Sequence, residues 1–297
     1  MKKQGTGWVK DRRADLKHYR DYARLLNVWT SRPEKKYVIV TQSRSGTGLL
    51  ATLMGQHPDI LADGEVFNKF LHRQVRWPGL YLKARSKRAI ALDRRVYGFK
   101  LKYHHLVSHQ EMSDQAAQHF ILDLYDQGWK FIYLRRNNVL RRALSGIIAR
   151  KRQLLHVRDR QALPKVHLDR QELMQEIELS ERLLAIDENN MARVDHLLVE
   201  YENDLLDAAS HAGLCTRIFK FLDVPQVAIK PSYLEKTSAD DLSLTIENYA
   251  DVEAWLRDSP HVPSLQSHRH YPPAAVISSR VTLHGLQHDT PRGVASA

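Results

Sequence analysis

The sequence predicts an α/β domain built on a central parallel sheet, and three observations carry that prediction. Short β-branched and aromatic runs at 37–41, 96–101 and 130–134 have no helical periodicity, the pattern of strands covered on both faces. Helical patterns separate these runs, so strands and helices alternate along the chain. Hydrophobic residues make up 43% of the 297 residues, an ordinary share for a packed core, and the length suits one large domain.

Taken in order, residues 1–34 are polar and basic, with a helical pattern around Asp15 to Trp29 that Pro33 ends. They read as a leader packed on the domain. The first strand, Tyr37-Val38-Ile39-Val40-Thr41, runs into the small-residue loop Gln42 to Gly48, and Leu49 to Met54 then has the apolar content of a helix lying on a sheet. Val96 to Leu101 is the second strand and Ser113 to Asp126 an amphipathic helix; Lys130 to Leu134, entered through Gly128, is the third strand, and a helix over 138–155 follows directly. Between Asp169 and Met191 the apolar positions Leu173, Ile177, Leu183, Leu184 and Ile186 sit among charges, predicting a solvent-facing helix. His196 to Tyr201 reads as a further strand, and Ala208 to Leu222 as a helix closed before Pro225. From about Ser264 the chain turns rich in His, Pro, Ser and Gly, so a single domain over 1–263 and a loosely ordered tail over 264–297 are expected.

The formal net charge of +11 draws anions to the surface: nucleotides, nucleic acids, acidic lipids or acidic sugars. No Cys/His zinc-finger spacing, heptad or aromatic RNA-binding signature accompanies it, which argues against nucleic acid. The single cysteine, Cys215, has no partner for an internal disulfide, and the first 36 residues hold no apolar run like a signal-peptide core, so a cytoplasmic setting is expected. No 18 consecutive residues are apolar; attachment to a membrane, if any, would be peripheral, through basic residues.

The loop after the first strand carries the most chemistry. Small residues between a buried strand and a helix let backbone N–H groups converge where the helix N-terminus adds positive partial charge, which suits a phosphate. Arg44 adds a forked cation, and Ser45 and Thr47 add hydroxyl donors. The lysine of a nucleotide-hydrolysing phosphate loop is missing after Gly48, which disfavours a kinase or another magnesium-dependent enzyme acting on nucleoside triphosphates.

Ser43-Arg44-Ser45-Gly46-Thr47-Gly48-Leu49-Leu50, with His57-Pro58 and Gly64-Glu65-Val66-Phe67 behind it, resembles the phosphosulfate-binding segment of sulfotransferases that use PAPS (3′-phosphoadenosine 5′-phosphosulfate). It most resembles the bacterial carbohydrate type that includes the nodulation-factor and trehalose enzymes. That resemblance implies a P-loop-like three-layer α/β/α fold, PAPS as donor with PAP as product, and a loop around Arg44 to Leu49 that wraps the 5′-phosphosulfate. Gly48 departs from the Ser or Thr common in the family at that position.

A second motif, Phe131-Ile132-Tyr133-Leu134-Arg135-Arg136-Asn137-Asn138, sets cations at a strand's C-terminal end, where ligands bind in open α/β sheets, with Ser145 in the following helix. It resembles the family's 3′-phosphate site, which implies contacts from Arg136 and Ser145. The family's spacing from Arg to Ser would fall on Asn137, one residue later than Arg136, and Arg135 is a candidate as well. Val199 to Leu205, Phe221 to Pro225, and Lys236 with Glu247-Asn248-Tyr249 are similar to later segments of these enzymes, so the resemblance covers roughly residues 37–257.

Transfer to an acceptor hydroxyl needs a cation on the leaving side, for which Arg44 is placed, and a base opposite. The resemblance implies Glu65 as that base, with His104 as the alternative and Lys100 or Lys102 as stabilisers of charge; no metal is required. The basic run from Lys69 to Arg95, interleaved with Trp77, Pro78 and Tyr81, reads either as a solvated helix face or as an acceptor surface for a carbohydrate or glycolipid, with Arg85, Lys87 and Arg88 as contacts. A protein-tyrosine acceptor fits the same chemistry. The oligomeric state has no sequence signal.

Overall fold

Runs of apolar residues with no polar alternation must be covered on both faces, and the strands of the domain satisfy this in a parallel sheet. A computed structural model describes residues 19, 22–23, 33–72, 74–152, 164–230, 232 and 241–269. Its five strands are β1 (Lys35–Thr41), β2 (Ile60–Ala62), β3 (Val96–Leu101), β4 (Lys130–Arg135) and β5 (His196–Glu200), in spatial order β2-β3-β1-β4-β5. Every neighbouring pair is parallel. This is the expected three-layer α/β/α architecture.

Each strand's side chains divide between two cores. Val38, Val40, Phe99, Leu101, Phe131 and Tyr133 face one layer, built by α3 (Pro78–Ala91) and α4 (Asp114–Asp126). Tyr37, Ile39, Ile132, Leu134 and Val199 face the other, built by α1 (Thr47–Met54) and α7 (His211–Leu222). Gly98 in β3 lies opposite Tyr37 of β1, and a Cβ there would land inside the Tyr37 ring, so the absent side chain is what lets that ring lie flat on the sheet.

A third core joins α5 (Val139–Lys151) to α6 (Arg170–Met191), α8 (Tyr249–Leu256) and α9 (Val262–Gln266). Its N-caps follow from sequence: Asn138 accepts from the Arg141 N–H at 2.9 Å, and Asp169 from that of Glu172 at 2.9 Å. Helix α6 is not simply solvent-facing, because Leu173, Ile177 and Leu184 are buried against α5 and Asp187 and Asn190 are buried with them.

Two short elements had no expectation, and two further expectations differ in detail. The three-residue strand β2 and the four-residue helix α2 (Lys69–His72) are too short to leave a periodic signal. The expected helix from Ala208 begins as a 3₁₀ turn, with α7 proper starting at His211. The tail boundary at 264 falls inside packed structure: Arg141 donates to the Ser264 carbonyl at 2.9 Å and to that of Leu265 at 2.6 Å, and Asn138 donates to the carbonyls of Ser267 and His268. Residues 270–297 lie outside the described residues, as does nearly all of the expected leader. Among the described residues no helix is long and apolar enough to cross a membrane.

Candidate active site at the C-terminal edge of the sheet

The chain leaves β1 toward β2 on one side and β4 toward β5 on the other, so adjacent β1 and β4 form a topological switch point whose crevice suits a ligand. Both sequence motifs end there. Arg44 and Gly46 have positive φ, 65° and 86°, which folds the loop tightly before α1. Gly46 is required twice, since a Cβ there would also sit 2.7 Å from the Tyr201 ring.

The two motifs, a hundred residues apart in sequence, touch. Arg44 Nε donates to Ser145 Oγ at 3.0 Å, and Arg136 Nη1 donates to the Arg44 carbonyl at 2.8 Å. The Arg136 guanidinium stacks on Tyr201, 4.5 Å from the ring centroid. Tyr201 opens a π-helical turn, Tyr201–Leu205, at the end of β5. Burial, with the neighbouring Arg136 charge, lowers the pKa of Arg44; burial likewise lowers that of Arg136. Among the described residues, Arg136 Nε is buried with no acceptor. Two desolvated guanidiniums against a helix N-terminus make a strong anion site.

Arg135 goes elsewhere. It is ion-paired to Glu188 at 3.1 Å and Glu200 at 2.7 Å, and these carboxylates, acting against burial, raise its pKa. Of the two candidates, Arg136 joins the loop and Arg135 joins β5 and α6. Glu202, buried, accepts from the N–H groups of Asn137 at 3.1 Å and Asn138 at 2.9 Å, which fixes the turn that carries Arg136 into α5.

Among the loop residues, the Ser45 hydroxyl points inward. Among the described residues it is fully buried without a partner, beside Gln42, Tyr133, Arg136, Arg142 and Asp187. Thr47 and Gly48 start α1, and Leu49 packs on the core beneath. Lys236 lies outside the described residues.

Glu65 follows β2 and is tied to the loop through Lys102. The Lys102 Nζ reaches Glu65 Oε1 at 2.6 Å and Ser43 Oγ at 3.1 Å, and Asn68 donates to Glu65 Oε2 at 3.0 Å. Burial pushes the Glu65 carboxyl up, but Lys102, Asn68 and Lys100 together outweigh it and hold the carboxyl below its ordinary range. Glu65 is therefore ionised at neutral pH. His104 caps the turn His105–His109; burial and the neighbouring Lys102 lower its pKa to about 3, so its ring is neutral. His105 Nε2 lies 3.8 Å from Glu65 Oε2, and the Glu65 charge also acts on His104.

Two cations of the basic run, Arg85 and Arg88, turn to a carboxylate of the chain itself. Arg85 is buried and donates to Asp63 from Nε at 2.9 Å and from Nη2 at 2.6 Å, Arg88 reaches the same carboxylate at 3.2 Å, and Tyr97 donates to it at 3.1 Å. A cation in a basic helix reads as solvated until its acid, twenty-two residues earlier, is known to face it. Lys102 as partner of Glu65, Tyr201 and Glu202 were likewise unassigned. Of these, Tyr201 and Glu202 had a signal, lying in the segment similar to later parts of the family. Among the described residues no group of three or more His, Cys, Asp or Glu side chains is arranged to hold a metal ion.

No family model matches the chain, and no curated protein matches it. Among solved structures it is similar to mouse sulfotransferase SULT7A1 complexed with PAP, at 16% identity and a TM-score of 0.36, over 66% of this chain. The match spans 61% of that sulfotransferase, less than two thirds of its length.

Proposed function

We propose that the protein is a sulfotransferase that moves the sulfuryl group of PAPS to an acceptor hydroxyl. The observation that carries this reading is the meeting of Arg44, Arg136 and Ser145 at the switch point, which supplies cations and a hydroxyl to two anionic groups of one nucleotide. The lack of a lysine after Gly48 favours a donor that needs no magnesium over a nucleoside triphosphate. In the transfer, the acceptor oxygen bonds to sulfur as the bond from sulfur to the bridging phosphate oxygen breaks. Charge builds on the departing phosphate, facing Arg44 and the N-terminus of α1, and the acceptor proton passes to Glu65.

Glu65 is the preferred base because it is ionised and held by Lys102 and Asn68 beside the loop. Lys102 has a second use, since it lies between the base and Ser43 and can stabilise charge on the group in flight. The acceptor class in this reading is a carbohydrate or glycolipid.

Calorimetric titration tests the donor half. PAP is expected to bind without magnesium, and AMP, lacking the 3′-phosphate, more weakly by at least ten-fold. Arg136→Ala should cost about 1.5–3 kcal/mol of PAP affinity, the worth of a charge-assisted hydrogen bond. Equal binding of AMP and PAP would overturn the proposal. Transfer of labelled sulfuryl from PAPS to oligosaccharides, glycolipids and tyrosine peptides, with Glu65→Gln as control, tests the acceptor half.

A further inference from the structure

From Val66 to Leu92 the sequence contains no Asp or Glu, while lysines and arginines recur throughout. Arg85 and Arg88 are committed to Asp63, but Lys69, Arg76 and Lys83 are exposed. Large apolar side chains stand beside them: Phe70 is 79% exposed, Leu71 57%, Trp77 52% and Leu80 45%. Phe70 and Leu71 lie in helix α2, Trp77 caps α3 and Leu80 lies in its first turn. Such a concentration of exposed apolar surface needs a reason.

These side chains and their segment contact neighbouring elements. Phe70 packs edge-on against His109, 5.1 Å between centroids, and the Val75 N–H donates to Gln110 Oε1 at 2.6 Å. Arg76 lies over the Trp77 ring at 4.9 Å, and Trp77 meets Tyr22 edge-on at 6.2 Å. The surface is also continuous with the catalytic edge, because His109 stacks on His105, 4.5 Å away, and His105 faces Glu65.

We infer that this face docks on an anionic lipid bilayer. Nucleic acid or an acidic polysaccharide would use the cations and the indole, but would leave Phe70, Leu71 and Leu80 in water. A bilayer interface takes both, with acyl chains receiving the apolar residues and anionic headgroups meeting Lys69, Arg76 and Lys83. The docking stands apart from the reaction. On the sulfotransferase reading, on which this one consequence rests, it brings a hydroxyl anchored in the membrane to Glu65.

The test is sedimentation of the full chain with extruded vesicles, either phosphatidylcholine alone or an equal mixture with phosphatidylglycerol. Binding to the mixture, lost at high salt and weak on phosphatidylcholine alone, is expected. Replacing Lys69, Arg76 and Lys83 together by Gln should weaken partitioning by about 100-fold, and Phe70→Ser with Leu71→Ser and Leu80→Ser by at least about 10-fold. Both variants should keep the parent's thermal midpoint and PAP titration. Absence of binding to the mixed vesicles at low salt overturns the inference, as does an apolar variant that binds them like the parent. Binding of the parent to heparin or duplex DNA more tightly than to vesicles, unchanged in the apolar variant, overturns it in favour of a polyanion surface. Vesicle binding by a chain that does not bind PAP would refute the sulfotransferase reading and leave the docking face intact.

Discussion

Asp63 gives the sharpest test of the physical reasoning, since it is the acid on which the basic helix α3 depends. Its side chain is 9% exposed and that of Arg85 2%, with a shortest contact of 2.6 Å. The same carboxylate also receives the Arg88 guanidinium, the Tyr97 hydroxyl and the Gly64 N–H. Asp63→Asn preserves shape and removes the charge, which leaves the Arg85 guanidinium buried and uncompensated. Breaking a buried pair from one side costs about 3–5 kcal/mol. The double variant Asp63→Leu with Arg85→Met removes both charges and refills the space, so it should lie within about 2 kcal/mol of the parent. Urea denaturation at neutral pH, read by tryptophan fluorescence, measures both. Burial pushes the Asp63 carboxyl up, but Arg85 and Arg88 outweigh that and hold it below the ordinary value of 3.8. Its contribution is thus complete above that value and disappears as pH falls through the lower folded one, so the deficit of the Asn variant should shrink in strong acid. A deficit below about 1 kcal/mol at neutral pH, or a double variant as unstable as the single one, would refute the argument.

Three further outcomes follow from the site. Gly46→Ala, strained by about 1–2 kcal/mol at a φ of 86° and pressed against Tyr201, should disturb the ring that carries Arg136 and lower PAP affinity at least ten-fold by calorimetry. Lys102→Met leaves Glu65 buried without its ammonium partner, so its carboxyl titrates higher and the acid limb of the pH profile of kcat/KM moves upward; an unmoved limb would exclude Glu65 as the base. Burial raises Asp187 to about 7, against Gln42 and Arg142, so the folded state prefers it protonated and stability falls as pH rises from about 4 to about 7. Asp187→Asn should flatten that fall and gain ~2–4 kcal/mol at pH 8 in urea denaturation, and a loss there would contradict it.

The three central strands were legible in sequence because a continuous β-branched run packs best inside a covered sheet, and the half-buried edge strand β5 was legible as well. The loop from Ser43 to Gly48 was legible too, since its composition suits little but a tight turn at a helix start. The choice between Arg135 and Arg136 was not, because it depends on which side of the strand's end each residue leaves. In the β4–β5 register Arg135 lies opposite Glu200, and the pair closes at 2.7 Å; Arg136, one residue on, turns back to the loop. Asp63 and Arg85 were equally silent, because pairing across twenty-two residues depends on how α3 folds over β3. One helix position, Ser145, was identified only through its resemblance to a family, and a single serine in a helix carries no physical signal of its own.

The C-terminal ends of all five strands supply the candidate site. β1 gives the loop, β2 leads to Glu65, β3 runs into Lys102, β4 into Arg136 and β5 into Tyr201 and Glu202. The loop is held from both sides, at Ser43 by Lys102, at the Arg44 carbonyl by Arg136 and at Gly46 by Tyr201. Such bracing fixes donors before a ligand arrives, which is what electrostatic catalysis requires. The arginines divide accordingly. Arg85 and Arg135, which serve the fold, meet carboxylates that raise their pKa values, whereas Arg44 and Arg136 sit together in a buried edge and are lowered. Holding two like charges out of water destabilises the empty protein, and an anion between them removes that cost. On the sulfotransferase reading, PAP, with two phosphate groups, should therefore raise the thermal midpoint far more than AMP, and equal shifts would contradict that reading.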